Sequence, residues 1–339
     1  MKKIFSAVFL VLVFSGFTFA DEVQVLDNYI FKLSDKVTRT PVKYKNRFGI
    51  TLAGDLYMLK DFDYSEKHSA IVIGAPYGGV KEQSPGIYAQ EMAERGFVTL
   101  TFDPSFNGYS SGEPRHLSSP ELFAEDFSAG VDFLGTRDFV DREKIGAIGI
   151  CGSGSFALSA AAMDLRIKAI ATISMYDISR AMRKGWLDQE DNKEAREKFL
   201  KQAAAQRWAE AEGNPPALSP RGADLDINWE KNPIGAEFGE FYSRNRGYHH
   251  NSVAQFTITS VPAWINFQLL DLVHEITPRP ILLIIGENAH SRYFSEEVYK
   301  AANEPKELFV VQDANHVDLY DNIEKIPFEK LESFFNENM

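Results

Sequence analysis

Only one cysteine, Cys151, occurs in the 339 residues. It sits in the run Gly149-Ile150-Cys151-Gly152-Ser153, between an apolar stretch and an Ala-rich one. A strand that passes through G-x-nucleophile-x-G into a helix must turn sharply, which presents the central side chain at the top of the turn. Small residues flank it because the two backbones approach closely. Cys151 holds that central position, Ser153 replaces the last glycine, and Gly154 follows. Neither Ser153 nor Ser155 has a glycine two places before it, so the register selects Cys151. At the start of a helix, the dipole and the unpaired N–H groups favour a thiolate, so a depressed thiol pKa is expected. The alternative is a small buried side chain packing a strand-helix junction.

A thiol nucleophile needs a base and a place for the oxyanion. In strand-turn-helix sites of this kind the histidine comes last, in a loop after the final strand. Val310 to Asp318 fits: the strand ends, small and polar residues turn, and His316 precedes the terminal helix. The oxyanion needs backbone donors. Gly152 N–H supplies one directly after the nucleophile. The second is expected from the loop after the strand AIVIG, where Pro76 has no N–H and Tyr77 is the next donor.

The elements around these residues alternate. Val42 to Leu59 reads as two strands about the turn Asn46-Arg47-Phe48-Gly49. Strands follow at Ala70 to Gly74, Phe97 to Asp103, Lys144 to Ile150 and Ile167 to Ser174. Helical patterns at Gly86 to Arg95, Pro120 to Thr136 and Phe156 to Met163 separate them. Strand-helix alternation with short connections predicts an α/β fold, a mostly parallel twisted sheet with helices on both faces. The alternation stops near Tyr176 and resumes at Pro280 to Gly286. It continues through a helix near Glu296 to Asn303, a strand at Glu307 to Val311 and a helix at Pro327 to Phe335. An interruption this long reads as an inserted helical cap over 176–278, not as a structureless loop. It carries a helical pattern at Glu190 to Glu212 and is rich in aromatics (Trp229, Phe238, Phe241, Tyr242, Tyr248, Trp264, Phe267). These either line a mostly apolar pocket or form the cap's own core. The core is then expected as 21–175 and 279–339.

Together these residues resemble the α/β-hydrolase fold, and most of all its dienelactone-hydrolase-like branch, where cysteine takes the nucleophile position in G-x-C-x-G. Finer pieces are similar to the YcjY-like bacterial proteins: GVKEQSPGIYAQ, TFDPSFNGYSSGEPR, GICGSGS, SMYDISRAM, GENAHSRYFSEE and NHVDLYD. The resemblance covers Val42 to Phe335. It implies Cys151 as nucleophile, His316 as base, and Tyr77 with Gly152 as oxyanion donors. The chain departs from the family at the acid, which usually follows the seventh strand as G-x-x-D. Counting from Gly286 reaches Ala289, with His290 next. Glu287 at the end of that strand is the first substitute. Asp177 after the sixth strand and Asp318 just past His316 are alternatives, and a cysteine-histidine ion pair can also work without an acid. His290 is a candidate substrate contact. The loop DPSFNGYSSGEPR places Asp103, Glu113 and Arg115 either at the pocket rim or in turn-forming roles.

The ends and the composition bound the rest. Lys2 and Lys3, the apolar run Ile4 to Phe17 and the small residue Ala20 read as a signal peptide over 1–20, with cleavage near Ala20 and a periplasmic or secreted destination. Removing Lys2 and Lys3 moves the formal net charge from −12 to −14. An acidic surface disfavours nucleic acid as a partner, and no later run is apolar for long enough to span a membrane. No P-loop, dinucleotide fingerprint or metal spacing occurs, so no cofactor or metal is expected. The expected activity is hydrolysis of an ester, lactone or thioester of a small, mostly apolar substrate through an acyl-cysteine. The alternative is a non-catalytic binder of a small ligand on the same fold.

Overall fold

The computed structural model describes residues 28–222 and 227–339. The expected signal peptide lies outside them. The first hairpin is β1 (Val37–Lys45) and β2 (Thr51–Leu59), paired antiparallel. Asn46 makes the turn, its side-chain oxygen accepting from the N–H groups of Phe48 and Ile50 at 3.1 and 3.0 Å. Gly49 takes a φ of +81° there, which glycine adopts without a Cβ clash. β1 starts earlier than the expected Val42, because Val37 already pairs with Leu59.

Six further strands complete one sheet: β3 (His68–Gly74), β4 (Val98–Phe102), β5 (Val140–Ile150), β6 (Ile170–Ile173), β7 (Ile281–Gly286) and β8 (Lys306–Val311). Their order is β1-β2-β4-β3-β5-β6-β7-β8. From β4 to β8 every pairing is parallel, while β2 meets β4 antiparallel. β4, β6 and β7 are buried along their whole length, as a parallel sheet covered on both faces requires. α1 (Ser84–Glu94), α2 (Pro120–Gly135) and α3 (Ser153–Met163) follow β3, β4 and β5. The expected alternation is therefore present, with boundaries shifted by a few residues.

Between β6 and β7 the chain forms α4 (Ile178–Lys184), α5 (Lys193–Ala211), α6 (Pro233–Tyr242) and α7 (Val261–Asn266). α5 matches the helical pattern seen at 190–212. α6 starts on Asn232, whose side chain accepts from Gly235 N at 2.9 Å, with Pro233 in the first turn. Proline tolerates that position because its missing N–H would have no helical partner. After β7 come α8 (Arg292–Ala301), the single turn α9 (Asp318–Asp321) and α10 (Phe328–Asn338). The loops leaving β3, β5, β6, β7 and β8 all emerge at the carboxyl edge of the sheet, where ligands bind in open parallel sheets.

Candidate active site

β5 delivers Cys151 to a sharp turn. Cys151 has a φ of +54°, a left-handed value that costs a non-glycine residue about 1–3 kcal/mol and persists only when the surroundings enforce it. Three backbone bonds enforce it here. Cys151 N–H donates to Ile173 O at 2.8 Å, and its carbonyl accepts from Gly154 N and Tyr176 N, each at 2.9 Å. Gly149 has no room for a side chain, since a Cβ there would sit 2.2 Å from Ser153 O. The neighbouring serines are tied to backbone. Ser153 Oγ donates to Ile150 O at 2.9 Å and accepts from Ile150 N at 2.8 Å, and Ser155 Oγ donates to Gly152 O at 2.8 Å. The structure thus spends both serine hydroxyls on holding the turn.

The backbone N–H groups of Gly152 and Tyr77 both reach the Cys151 sulfur. Tyr77 is fixed from behind. Its hydroxyl shares a 2.7 Å hydrogen bond with Ser118 Oγ, which also accepts from Trp264 Nε1 at 2.8 Å. Its ring stacks on Phe256 at 4.2 Å. Phe256 and Trp264 come from the stretch between β6 and β7, so that stretch helps to set the second donor. Burial pushes the Cys151 thiol up to about 11, against the opposing pull of Tyr320, Gly152 N–H and Tyr77 N–H. The depressed thiol expected from the helix start is therefore reversed, because desolvation of the thiolate outweighs the donors that favour it.

His316 is fully buried in the loop after β8. Its carbonyl accepts from Ser174 Oγ at 2.9 Å, which pins the loop to the end of β6. Burial, and then the neighbouring His290 ring at 4.7 Å, hold the imidazole well below its ordinary range. Thiol and imidazole are accordingly both neutral at rest. An ion pair between them is not the resting state.

The carboxylates named from the sequence do not meet His316. Glu287 turns to the Asp313 N–H at 3.2 Å. Asp177 caps α4, accepting from Arg180 N at 3.0 Å, and burial pushes its carboxyl up. Asp318 accepts from Asn315 N at 3.0 Å and from Lys325 Nζ at 2.8 Å. Burial opposes ionisation of Asp318, but these partners hold its carboxyl below the usual range. The partner of His316 Nδ1 is instead Ser291 Oγ, at 2.6 Å and fully buried. Nε2 faces the Tyr320 hydroxyl at 3.0 Å. His290 points Nδ1 at Glu237 Oε2, 3.4 Å away, and Glu237 Oε1 accepts from Val317 N at 2.7 Å.

Ser291, Tyr320 and Glu237 are the site residues that sequence reading missed. Tyr320 carried a usable signal, because it stands four residues after His316, the spacing that puts two side chains on one face of a helical turn. Ser291 sits in an irregular loop, and Glu237 comes from α6, distant in sequence. Neither carried one.

Cys151 and Tyr320 open into a cavity of about 240 Å³. Its walls are mostly apolar, from Ile178, Ala181, Met182, Trp186, Phe238 and the rings of Tyr77, Tyr176 and Tyr242. Of the aromatics expected to line a pocket, Phe238 and Tyr242 do so. Trp264 and Phe241 are buried in packing, and Trp229, Tyr248 and Phe267 are exposed. Neither His316 nor His290 is on the cavity wall. Asp103 is also structural, accepting from Lys81 N at 2.9 Å and Tyr109 N at 2.7 Å. Arg115 donates to the carbonyl of Gly108 at 2.8 Å.

No family model matches the chain. It is 49% identical over 312 residues to the uncharacterised protein PA2218 of Pseudomonas aeruginosa strain PAO1, covering 91% of this chain and 83% of that one. The crystal structure of PA2218 superposes with a TM-score of 0.89 at 48% identity, covering 94% of this chain and 99% of that one. The uncharacterised protein YcjY of Escherichia coli K12 is 33% identical over 273 residues, covering 80% of this chain and 89% of YcjY. More distantly, a thiohydrolase of Arthrinium phaeospermum, apmlB, is 25% identical over 290 residues, covering 82% and 89%. The crystal structure of the α/β hydrolase GrgF from Penicillium shares the fold, with a TM-score of 0.71 at 22% identity, covering 89% of this chain and 99% of that one.

Proposed function

We propose, because the chain belongs to the α/β-hydrolase superfamily and groups there with YcjY, that it is a hydrolase whose attacking atom is the sulfur of Cys151. The observation that carries this reading is the strained turn at Cys151 with two backbone N–H groups, from Gly152 and Tyr77, converging on its sulfur. A packing cysteine needs neither. A carbonyl carbon approaching the sulfur would leave its oxygen between the same donors, which is how an oxyanion is stabilised.

The substrate class follows from the acid-base groups. The Cys151–carbon bond forms as the carbonyl π pair moves to oxygen, and the thiol proton passes toward His316. The intermediate then collapses, the leaving group departs with that proton, and water repeats the sequence to free the acid. His316 has Ser291 behind it and, among the described residues, no carboxylate bonded to it, so it is a weak base and gains little help in holding a proton. Such a site suits leaving groups that depart readily. Thioesters and activated esters or lactones fit; unactivated amides do not. The apolar cavity suits a small hydrocarbon acyl chain. The thiohydrolase among the distant relatives supports the same direction.

The test is intact-mass spectrometry after mixing with the hexanoyl thioester of N-acetylcysteamine. An acyl adduct on Cys151, with turnover abolished in Cys151→Ala, is the expected result. Unchanged turnover in Cys151→Ala would overturn the reading. Saturable binding without turnover in the wild type would favour a non-catalytic binder, a reading to which the neutral thiol and the missing carboxylate lend support.

A further inference from the structure

We propose that Tyr320 is a catalytic residue of this site, carrying the proton between Cys151 and His316. The inference rests on the reading of Cys151 as the nucleophile and adds the route its proton takes.

Three observations place Tyr320 between the other two. Its hydroxyl is 3.0 Å from His316 Nε2, and it acts on the Cys151 thiol, favouring its thiolate as Cys151 in turn favours the Tyr320 phenol. Tyr320 lines the cavity beside Cys151, whereas His316 does not. His316 Nδ1 is engaged by Ser291 at 2.6 Å, so Nε2 is the nitrogen left for exchange. A leaving group bound in the cavity therefore meets the phenol of Tyr320 before it can meet the imidazole.

A phenol hydroxyl has one proton and two acceptor sites, which suits this position. With the histidine proton on Nδ1 and donated to Ser291, Nε2 accepts from the Tyr320 O–H. The Tyr320 oxygen is then left to accept from the Cys151 S–H. In the acylation step the sulfur–carbon bond forms as the thiol proton moves to the Tyr320 oxygen, while the Tyr320 proton moves to His316 Nε2. When the intermediate collapses, the Tyr320 O–H donates to the departing sulfur or oxygen, and Nε2–H returns its proton to Tyr320. The two protons move together, so no charge accumulates on the phenol. Burial holds the Tyr320 hydroxyl far above its ordinary range, which keeps that phenol protonated as a relay must be.

The test is Tyr320→Phe, which keeps the ring packed edge-on against His316 at 5.4 Å and Phe241 at 5.2 Å. With the same hexanoyl thioester, acylation is expected to slow by about 100-fold, with KM changed by less than about threefold. Rates in mixtures of light and heavy water are expected to curve for the wild type, because two protons are in flight, and to be linear for the variant. Acylation within about threefold of wild type overturns the relay. So does a slow variant whose solvent dependence stays curved, since that marks a purely structural role. If the phenylalanine variant does not fold, a fluorinated tyrosine at 320 keeps the ring and hydroxyl while changing its acidity, and an unchanged rate there overturns the relay. Cys151→Ala is run in parallel. Turnover surviving in it removes the nucleophile reading itself, whereas its loss beside an intact Tyr320→Phe removes only the relay.

Discussion

The reversed acidity of Cys151 has a measurable consequence for its reactivity. Its thiol is raised from 9.0 to about 11 by burial, so near neutral pH only about one molecule in ten thousand carries a thiolate. A free cysteine of pKa about 8.5 carries a few hundred times more. The more basic thiolate recovers about tenfold through its greater nucleophilicity. With a small neutral alkylating agent such as iodoacetamide, Cys151 should therefore react about 20- to 30-fold more slowly than a model thiol, before any penalty for access. Its rate should rise about tenfold per pH unit with no plateau until near 11. Acylation by a thioester should not be slowed in proportion, because the Gly152 and Tyr77 donors act on the oxyanion of that reaction and have nothing to stabilise in alkylation. A titration of alkylation that levels off below about 8 would refute the reasoning and restore a thiolate-imidazolium pair at rest.

The same shift has a thermodynamic counterpart. The folded state keeps the thiol proton to higher pH than the unfolded chain does. Folding stability from this group is therefore complete below the unfolded value and is lost as pH rises through the folded one. Two units at about 1.36 kcal/mol each give about 2.7 kcal/mol. Relative to Cys151→Ala, the wild type should lose about that much unfolding free energy between pH 9.0 and about 11. Denaturant unfolding of both proteins across that window measures it. A difference that stays flat would mean that burial does not govern the thiol.

Three further outcomes are expected. In Gly152→Ala the new Cβ would lie 2.7 Å from the Tyr77 Cβ, forcing the two oxyanion donors apart, and the acylation burst should slow by about 10²–10³-fold; an unaffected burst would show that these donors do not serve the oxyanion. Ser118→Ala removes the shared partner of the Tyr77 hydroxyl and Trp264 Nε1, which should lower unfolding free energy by about 1–3 kcal/mol in denaturant melts, together with turnover. Ser291→Ala strips His316 Nδ1 of its 2.6 Å partner, and steady-state kinetics should show kcat about tenfold lower at unchanged KM; an equal kcat would mean that Ser291 does not orient the ring.

The parts of this site legible in the sequence are those fixed by local geometry. Cys151 was legible because a strand, a sharp turn and a helix within a few residues leave one side chain at the apex, and only small neighbours permit it. His316 was legible because a loop after the last strand of a parallel sheet has few places to go. The alternation of strands and helices was legible for a similar reason, since each run is buried or amphipathic over its own length. What sequence could not supply is what depends on sums over the whole fold. The helix start beside Cys151 argued for an acidic thiol, and the donors are indeed in place, but the burial of the sulfur outweighs them. Glu287 stood at the right strand end, yet its side chain turns to the Asp313 N–H, and Ser291 takes the nitrogen it was expected to hold.

These departures are connected. A carboxylate behind His316 would favour imidazolium and, through it, a thiolate at Cys151. With Ser291 there instead, burial outweighs the donors around Cys151 and lowers His316 unopposed, and both stay neutral. A neutral thiol and a neutral imidazole can exchange a proton only in step with bond formation, and only along a continuous hydrogen-bonded path. Tyr320 stands 3.0 Å from His316 Nε2 and lines the same cavity as Cys151. The serine that replaces the acid and the tyrosine that bridges the pair are thus two halves of one arrangement. It avoids separated charge at rest and restricts the chemistry to leaving groups that need little help to depart.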